Sequence, residues 1–336
     1  MVEDSPVRVG IVGLGTIGRI HADRIARLGG EVVGADLSVD ARDAFGETYD
    51  TQTYASHEAM LDDGVDAMIV GVPNRFHEEV AVDGLDAGVD VLVEKPLAHT
   101  VESAERIAAA ARESDGFCAV GFTMRFDDLT RRVVELRDAG RLGPTSHVGV
   151  EYLRRDFVPG DGRGWFTDPE LAGGGVLMDL GVHVLDLALH LFDYPTVTEV
   201  SGVVRSEYGS YDVDDAATAL LRCADGRTIS IETSWKGTVE PSRACSVRGA
   251  EAGVAFEISG SELAVLTPDE DDPIETESVD TEDMHLAEDR AFIEAVADDG
   301  DAFDGTLEDA LVVQRVIDAI YESSERGSAV ELADDR

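Results

Sequence analysis

The chain contains 336 residues, with 70 Asp and Glu against 27 Lys and Arg, and its formal net charge is −43 at pH 7. This charge argues against sequence-general binding of nucleic acid, which requires a basic surface. The hydrophobic fraction of 43% is ordinary for a globular protein, so disorder is not expected, and the length allows two domains. The acids are scattered and only Lys95 and Lys236 are lysines, which predicts a halophilic protein whose self-repulsion is screened by molar intracellular salt.

The cysteines and the apolar segments bear on the compartment. Cys118, Cys223 and Cys245 are too few and too scattered for a disulfide framework or a Cys-x-x-Cys metal site, and no other ligand set predicts a metal. The first residues lack the basic region followed by an apolar one that a signal peptide has. No apolar run approaches the ~20 residues of a membrane-spanning helix. We therefore expect a soluble cytoplasmic protein with reduced thiols and no membrane partner.

The first segment of the chain predicts a dinucleotide-binding turn. A β-rich run, Val7–Val12, leads into Gly13-Leu-Gly-Thr-Ile-Gly18 and then into Arg19–Leu28, which has helical periodicity. In such a strand–turn–helix unit the glycines allow a tight turn, close approach of a pyrophosphate and close helix–strand packing. A second strand, Glu31–Ala35, ends at Asp36, near the position expected for a ribose-binding acid. The predicted cofactor-binding residues here are Gly13, Gly15, Thr16, Ile17, Gly18 and Asp36.

The residues around Asp36 bear on the choice of cofactor. The Asp36 carboxylate can accept hydrogen bonds from ribose hydroxyls and would repel a 2′-phosphate. Leu37 follows it, so the next position offers no guanidinium for that phosphate. NAD is therefore favoured over NADP, although Arg42 is close enough in the sequence to keep NADP open.

The alternation of strands and helices continues to Gly121. The pattern predicts strands over Ala67–Val72, Val89–Val93 and Phe117–Gly121, a helix through Gly88 capped by Asn74, and a helix over Thr100–Ser114 capped by Thr100. Such alternation predicts a parallel doubly wound sheet with its ligand at the carboxyl ends of the strands. Glu94-Lys95-Pro96 follows one of these strands. A retained lysine in a lysine-poor chain suggests a role for its ammonium group, and the alternative is a solvated salt bridge with Glu94.

After Gly121 the pattern changes to a second type of domain. We expect a helix over Arg125–Ala139, a strand over His147–Leu153, a mostly antiparallel sheet between Thr196 and Leu266, an acidic loop over Asp269–Asp283, and closing helices over Asp283–Asp298 and Thr306–Ser324. The predicted domains are residues 1–123 and 124–336. The sequence leaves open whether the last helices pack back on the first domain.

A candidate acid/base pair lies in Gly173–His190, which is expected to form a helix after its glycines. The spacing puts Asp179, His183 and Asp186 on one face of that helix. A carboxylate beside an imidazole can transfer protons near neutral pH. The alternative is a surface pair or a core histidine. The glycines are expected to let the backbone approach a ligand closely.

Together these motifs resemble the glucose–fructose oxidoreductase/inositol 2-dehydrogenase (Gfo/Idh/MocA) family. The resemblance rests on the glycine turn, Pro73-Asn-Arg-Phe-His77, Glu94-Lys-Pro96, Gly121-Phe-Thr-Met-Arg-Phe126, and Gly173-Gly-Gly with Asp179-Leu-Gly-Val-His183. It implies an N-terminal Rossmann domain and a C-terminal α/β domain with a large open sheet. Members often oligomerise through that sheet, so a homodimer or homotetramer is expected.

The resemblance also implies roles for individual residues. Lys95 matches the family's active-site lysine, often followed by a cis proline bond, and His183 and Asp179 match its proposed acid/base and partner. The residues implied to line the cofactor are Pro73, Asn74, His77, Glu94 and Lys95. Those implied to contact substrate are Met124, Arg125, Asp179 and His183. Trp165, Tyr152, Trp235 and Lys236 are further candidates for a sugar pocket, with ordinary packing as the alternative.

The predicted function is an NAD-dependent oxidoreductase that moves a hydride between nicotinamide and a secondary hydroxyl of a sugar, cyclitol or related polyol. His183, oriented by Asp179, would take the hydroxyl proton while Lys95 polarises the oxygen. Two alternatives remain: an NAD-dependent glycoside hydrolase acting by oxidation and elimination, and a non-catalytic NAD-binding sensor. An intact Lys/Asp/His set disfavours the sensor.

Overall fold

The computed structural model describes residues 6–209, 211–268, 274–297 and 303–332. Its contacts divide the chain into two compact units, Met1–Gly121 with His285–Leu311, and Phe122–Met284 with Val312–Arg336. The first break lies two residues before the predicted boundary at 123. Residues 285–311 join the N-terminal unit, an arrangement that the sequence left open.

The first unit is built on a parallel sheet with strand order β3-β2-β1-β4-β5-β6. Its interior strands are almost continuously buried, as expected for a sheet covered on both faces. The strands are β1 (Arg8–Val12), β2 (Glu31–Ala35), β3 (Thr53–Tyr54), β4 (Ala67–Val70), β5 (Asp90–Val93) and β6 (Cys118–Val120). The helices are α1 (Thr16–Arg27), α2 (Val39–Tyr49), α3 (His57–Asp63), α4 (His77–Asp86) and α5 (Val101–Glu113).

Strand order fixes where a ligand of this sheet belongs. β1 pairs with β2 on one side and with β4 on the other, so the order of the strands reverses beside β1. In doubly wound sheets the ligand binds at the carboxyl ends of the strands at this reversal. The turn after β1 holds the glycine motif, and Glu94 directly follows β5, so the predicted residues lie at that edge of the sheet.

The second unit contains a nine-stranded sheet, and β10 beside β7 is its one parallel pair among the described residues. The strands are β7 (Thr145–Leu153), β8 (Val197–Arg205), β9 (Ala216–Cys223), β10 (Thr228–Ser234), β11 (Ala244–Gly249), β12 (Gly253–Glu257), β13 (Glu262–Leu266), β14 (Ile274–Ser278) and β15 (Val330–Glu331). The helices of this region are α6 (Asp128–Asp138), α7 (Pro169–Ala172) and α8 (Val182–Leu191), and α8 packs on β7 and β10. Further along the chain follow α9 (Met284–Ala297) and α10 (Leu307–Arg326). The predicted fold class, a Rossmann sheet followed by a mostly antiparallel open sheet with helices, is confirmed.

Three local expectations are corrected. Residues 274–278 of the predicted acidic loop form β14, which pairs with β13, while residues 269–273 lie outside the described residues. Asn74 does not cap a helix, because it begins a 3₁₀ turn whose N-cap is Pro73. α2 and α3 were not predicted. The cap at Thr100 is confirmed, since its hydroxyl accepts the Ser103 N–H at 3.2 Å.

One stretch of the second unit meets the length and composition of a membrane span, although the sequence predicted none. Within the described residues this is Pro169–Leu191, with a mean hydropathy of 1.4 in its most apolar window, 72% of which is buried. An apolar segment buried in protein is the pattern of a core helix. The segment carries Asp179 and His183.

Exposed and buried residues alternate along β9, so one face of the nine-stranded sheet is exposed there. Leu220 on β9 is 52% exposed and Val203 on β8 is 49% exposed. Oligomerisation through this sheet stays a prediction.

Candidate active site

The glycine turn after β1 is built for a ligand that approaches the main chain. Gly13 has a φ of +93°, and a Cβ there would lie 2.5 Å from the Gly71 carbonyl oxygen. A Cβ on Gly18 would lie 2.0 Å from the Gly13 oxygen, so any larger residue at this position would prevent α1 from packing closely against the glycine turn. Gly15, by contrast, faces open space, and α1 begins there with no side-chain cap and no acid in its first turn among the described residues. Main-chain N–H groups at such a helix end fit a pyrophosphate.

Asp36 is held at the end of β2 by main-chain groups. Its carboxylate accepts the Leu14 N–H at 2.8 Å and the Ser38 N–H at 2.7 Å, and each oxygen can accept a further bond. The Arg42 guanidinium donates to the carbonyl oxygens of Asp36 and Leu37, at 2.6 and 3.1 Å. The carboxylate therefore lies in the loop after β2 and this cation in the first turn of α2, near the position where a cofactor's ribose is expected.

His77 joins the loop after β4 to the loop after β5. Its Nδ1 lies 2.9 Å from the Pro96 oxygen and its Nε2 lies 2.9 Å from the Val72 oxygen. Burial lowers the pKa of His77, which favours the neutral ring, and a neutral ring donates to one of the two carbonyls. Pro73 is partly buried and Asn74 is buried on the same loop. Contact of these three residues with a cofactor stays a prediction.

Lys95 follows β5 in a turn whose Lys95–Pro96 bond is cis, as the resemblance implies. The Glu94 carboxylate accepts the Lys95 N–H at 3.1 Å through Oε2 and contacts His21 through Oε1. Burial raises the pKa of Glu94, but the hydrogen bond and charge of His21 and the charge of Lys95 outweigh this effect, so the pKa is lowered. Glu94 is therefore a carboxylate that supports the Lys95 main chain.

Asp179 lies in a π-helical turn, Leu177–Gly181, that leads directly into α8, where His183 follows four residues later. The sequence predicted a regular helix here. Single π turns are frequent at functional sites. The Trp235 indole N–H donates to Asp179 Oδ2 at 2.8 Å, and Trp235 is completely buried with the Tyr211 ring edge-on against it. The Asp179 carboxylate is therefore held by a rigid, buried donor.

The glycines before this helix are required by protein groups. A Cβ on Gly175 would lie 1.9 Å from the Asp214 carbonyl oxygen, and one on Gly174 would lie 2.1 Å from the Tyr321 hydroxyl. The Asp214 carboxylate accepts the N–H groups of Gly175 and Leu177 at 2.7 and 2.8 Å, and the Tyr321 hydroxyl at 2.8 Å. The close approach expected for a ligand is thus made by Asp214 and Tyr321, which anchor the start of the helix.

Asp186 forms a buried ion pair with Arg125. The two side chains are 1% exposed, and the guanidinium contacts both carboxylate oxygens at 2.6 to 3.2 Å. The Tyr194 hydroxyl bonds to both partners. Each buried charge is therefore compensated by the other, which is a structural role for both residues. Met124 is 3% exposed, and substrate contact by Met124 or Arg125 stays a prediction.

The remaining candidates for a sugar pocket differ in surroundings. The Trp165 ring stacks on Phe166 with centroids 3.8 Å apart and is only partly buried. Tyr152 is buried under the Arg154 and Arg243 guanidinium groups, and Lys236 pairs with Asp156 at 2.9 Å. Trp165 is therefore the most accessible of the three aromatic candidates.

The side chains that support the candidate residues within each unit were missed by sequence reasoning. Trp235 was considered only as a pocket residue, and His21 and Asp214 were not considered. Their partners are distant in the chain, and a buried acid or histidine has no local pattern that separates it from a surface residue. A weak signal existed for Asp214, which lies beside Asp215 directly before a β-rich run.

Comparison with known proteins assigns the chain to a family. Residues 7–122 match the family model described as oxidoreductase family, NAD-binding Rossmann fold, and residues 130–262 match the GFO/IDH/MocA C-terminal domain. The chain is also 30% identical to the D-glucoside 3-dehydrogenase of Escherichia coli (strain K12) over 98% of each protein. The chain belongs to the Gfo/Idh/MocA family. The predicted oxidoreductase class and the nicotinamide-binding Rossmann domain are confirmed.

Two further proteins are similar to this chain, one in sequence and one in fold. A D-xylose 1-dehydrogenase (NADP(+)) of Haloferax volcanii is 32% identical, covering 83% of this chain and 84% of that protein. The solved structure of levoglucosan dehydrogenase, in complex with NADH and levoglucosan, has a TM-score of 0.89 and covers 98% of this chain and 100% of that one. At 21% sequence identity, this structural similarity shows a shared fold and no more.

Proposed function

We propose that the protein is an NAD-dependent dehydrogenase, or reductase in the reverse direction, acting on a secondary hydroxyl of a sugar, cyclitol or related polyol. The observation that carries the proposal is the held Asp179 carboxylate, four residues before His183 in one continuous helix. A sensor that only binds a cofactor would not need such a pair. The names of the relatives, a glucoside dehydrogenase and a xylose dehydrogenase, support the substrate class.

The chemistry requires two bonds of the substrate carbinol to break. A bound nicotinamide cofactor would supply the acceptor for the hydride of the carbinol carbon. His183 takes the hydroxyl proton as the C=O bond forms, and Asp179 stabilises the resulting imidazolium. Lys95 donates to the same oxygen and stabilises its negative charge as the proton leaves. In the reverse direction His183 returns the proton.

NAD is the proposed cofactor, although the Haloferax volcanii relative is named for NADP(+). Asp36 supports NAD because its carboxylate faces the position expected for the ribose, and it would repel a 2′-phosphate. Arg42 lies nearby on α2 but already donates to two main-chain oxygens. The cytoplasmic location also remains a proposal.

Replacing Asp36 with asparagine is expected to move the ratio of kcat/KM for NAD to that for NADP about 100-fold toward NADP. The change removes the repulsion of the 2′-phosphate and weakens acceptance of the ribose hydroxyls. Steady-state kinetics with both cofactors measure the ratio. Asp43→Asn, an exposed acid on α2, removes the same charge from the same region and is expected to leave the ratio unchanged. A ratio unchanged in Asp36→Asn as well would refute the proposed role of Asp36.

Replacing Trp235 with phenylalanine is expected to lower kcat about tenfold and to leave the KM for substrate nearly unchanged. The ring stays, but Asp179 loses its indole donor and is free to rotate. Trp165→Phe changes the other tryptophan of the chain and is the matched control, for which a change in KM is expected. Equal effects of the two variants on kcat and KM would contradict a positioning role for Trp235.

A screen for NADH formation tests the function itself. Purified protein in molar KCl is mixed with sugars, sugar acids, inositols and glycosides, with NAD and NADP in parallel. Net formation of reduced cofactor on a free sugar or inositol supports the proposal. Cleavage of glycosides without net NADH favours the alternative of hydrolysis by oxidation and elimination. Cofactor binding, seen as a thermal shift, without turnover on any compound favours the sensor.

A further inference from the structure

A cluster of three ionisable side chains lies beside the main chain of Lys95 in the first unit. His21 is 2% exposed, Asp289 is completely buried, and 16% of the Glu94 side chain is exposed. His21 Nδ1 lies 2.6 Å from Asp289 Oδ1, and His21 Nε2 lies 2.8 Å from Glu94 Oε1. The imidazole on α1 therefore bridges a carboxylate at the end of β5 and a carboxylate on α9.

The geometry and the raised pKa of the bridging ring both favour its protonated form. Burial lowers the pKa of His21, but Asp289 and Glu94 outweigh this effect and hold the pKa well above its usual value. An imidazolium donates from both ring nitrogens, which matches the acceptor found at each of them. A neutral ring would leave one nitrogen facing a carboxylate without a proton between them, which is costly in a buried site.

Glu94 connects this ring to Lys95. One carboxylate oxygen contacts the His21 ring, and the other accepts the Lys95 N–H at 3.1 Å. The charges of His21 and Lys95 both act on the Glu94 carboxylate. The His21 ring therefore helps to fix the position of the Glu94 carboxylate, and that carboxylate in turn helps to fix the position of the Lys95 main chain.

We infer that His21 is a positioning residue for Lys95: held between Asp289 and Glu94, its ring fixes the Glu94 carboxylate against the Lys95 main chain and so sets where the lysine amine lies. His21 also lies on α1, whose first turn faces the expected pyrophosphate, so the ring ties the cofactor helix to the lysine segment. The family resemblance implies no role for His21 or Asp289. The consequence for turnover rests on the proposed function, whereas the effect on the lysine does not.

The lysine content of the chain allows a direct test, because Lys95 and Lys236 are its only lysines. Reductive methylation with ¹³C-formaldehyde labels the two lysines and the N-terminal amine. Lys236→Arg and Lys95→Arg each remove one signal and so assign the two lysine signals. In the NADH-bound protein, His21→Gln is expected to move the Lys95 signal by more than its linewidth and to leave the Lys236 signal in place. Asp289→Asn, which keeps the side-chain shape, is expected to move the Lys95 signal in the same direction.

Unmethylated protein supplies the catalytic readout. His21→Gln is expected to lower kcat about tenfold while the KM for NAD changes less than about twofold, because a misplaced lysine affects the chemical step more than cofactor binding. His57→Gln is the matched control, since the His57 ring is also shielded and also pairs with a carboxylate, Asp83, at 2.8 Å. This control is expected to leave both the Lys95 signal and kcat unchanged.

The outcomes separate this inference from the proposed function. An unmoved Lys95 signal in folded His21→Gln and Asp289→Asn overturns the inference, as does an equal movement in His57→Gln. If the wild-type protein turns over no sugar or polyol, the proposed function fails, and the NMR signal still decides the role of His21. Asp289→Asn provides the decision if His21→Gln does not fold.

Discussion

Replacing Lys95 with methionine is expected to lower kcat about 1000-fold on the substrate that the screen identifies. Methionine has nearly the length of lysine and no amine, so the change removes the proposed donor to the reacting oxygen and little packing. Loss of one group that stabilises charge or transfers a proton in the transition state costs about 10²- to 10⁴-fold. Steady-state kinetics give kcat, and fluorescence titration with NADH shows whether cofactor binding is retained.

The other lysine of the chain provides the control for this substitution. Lys236→Met removes the same charge from an amine that pairs with Asp156 at 2.9 Å on the surface of the second unit. This variant is expected to keep kcat within about twofold of wild type, since exposed ion pairs contribute little. Near-wild-type turnover in Lys95→Met would refute the assignment of Lys95 to the reaction.

Replacing Asp186 with alanine is expected to lower the free energy of unfolding of the second unit by about 3 to 5 kcal/mol. The change leaves the buried Arg125 guanidinium without its carboxylate, and an unpaired buried charge has a cost of about this size. The Tyr194 hydroxyl also loses a partner. Chemical denaturation in molar KCl, followed by fluorescence, measures the loss.

Two further variants show whether the cost comes from an unpaired charge. Arg125→Met combined with Asp186→Leu removes both charges, and much of the lost stability is expected to return, because apolar replacement of a buried pair is often neutral or stabilising. Glu207→Ala breaks the exposed pair with Arg205 and is expected to cost less than about 1 kcal/mol. A loss in Asp186→Ala no larger than in Glu207→Ala would contradict the assignment of the pair as structural.

The first unit could be predicted in large part because its signals are local. Buried parallel strands appear as continuous apolar runs, and the predicted strand Glu31–Ala35 agrees with β2 at both ends. The Thr100 hydroxyl caps α5 by accepting from an amide N–H only three residues away, so a short stretch of sequence specifies the cap. Such signals need no knowledge of the rest of the chain.

Elements with weak local signals were missed or changed in kind. β14 has the sequence IETES, whose acidic residues are typical of a solvated loop. Only its pairing with β13 in the folded chain makes it a strand. The short helix α3 has only two buried residues, so its sequence shows no recognisable helical periodicity of apolar residues. The π turn at Asp179 replaced a predicted regular helix, because a single wide turn leaves no mark on the hydrophobic pattern.

By itself, the sequence determined the Rossmann unit, the family, and the residue types Lys95, Asp179 and His183 that suit proton transfer. Only the tertiary structure decided which groups hold them: Trp235 donates to Asp179 from 56 residues away, and His21 meets Asp289 across 268 residues. The physical reason is that apolar periodicity and glycine turns record local geometry. A buried charge is defined by the partner that compensates it, and that partner is brought near only when the chain has folded.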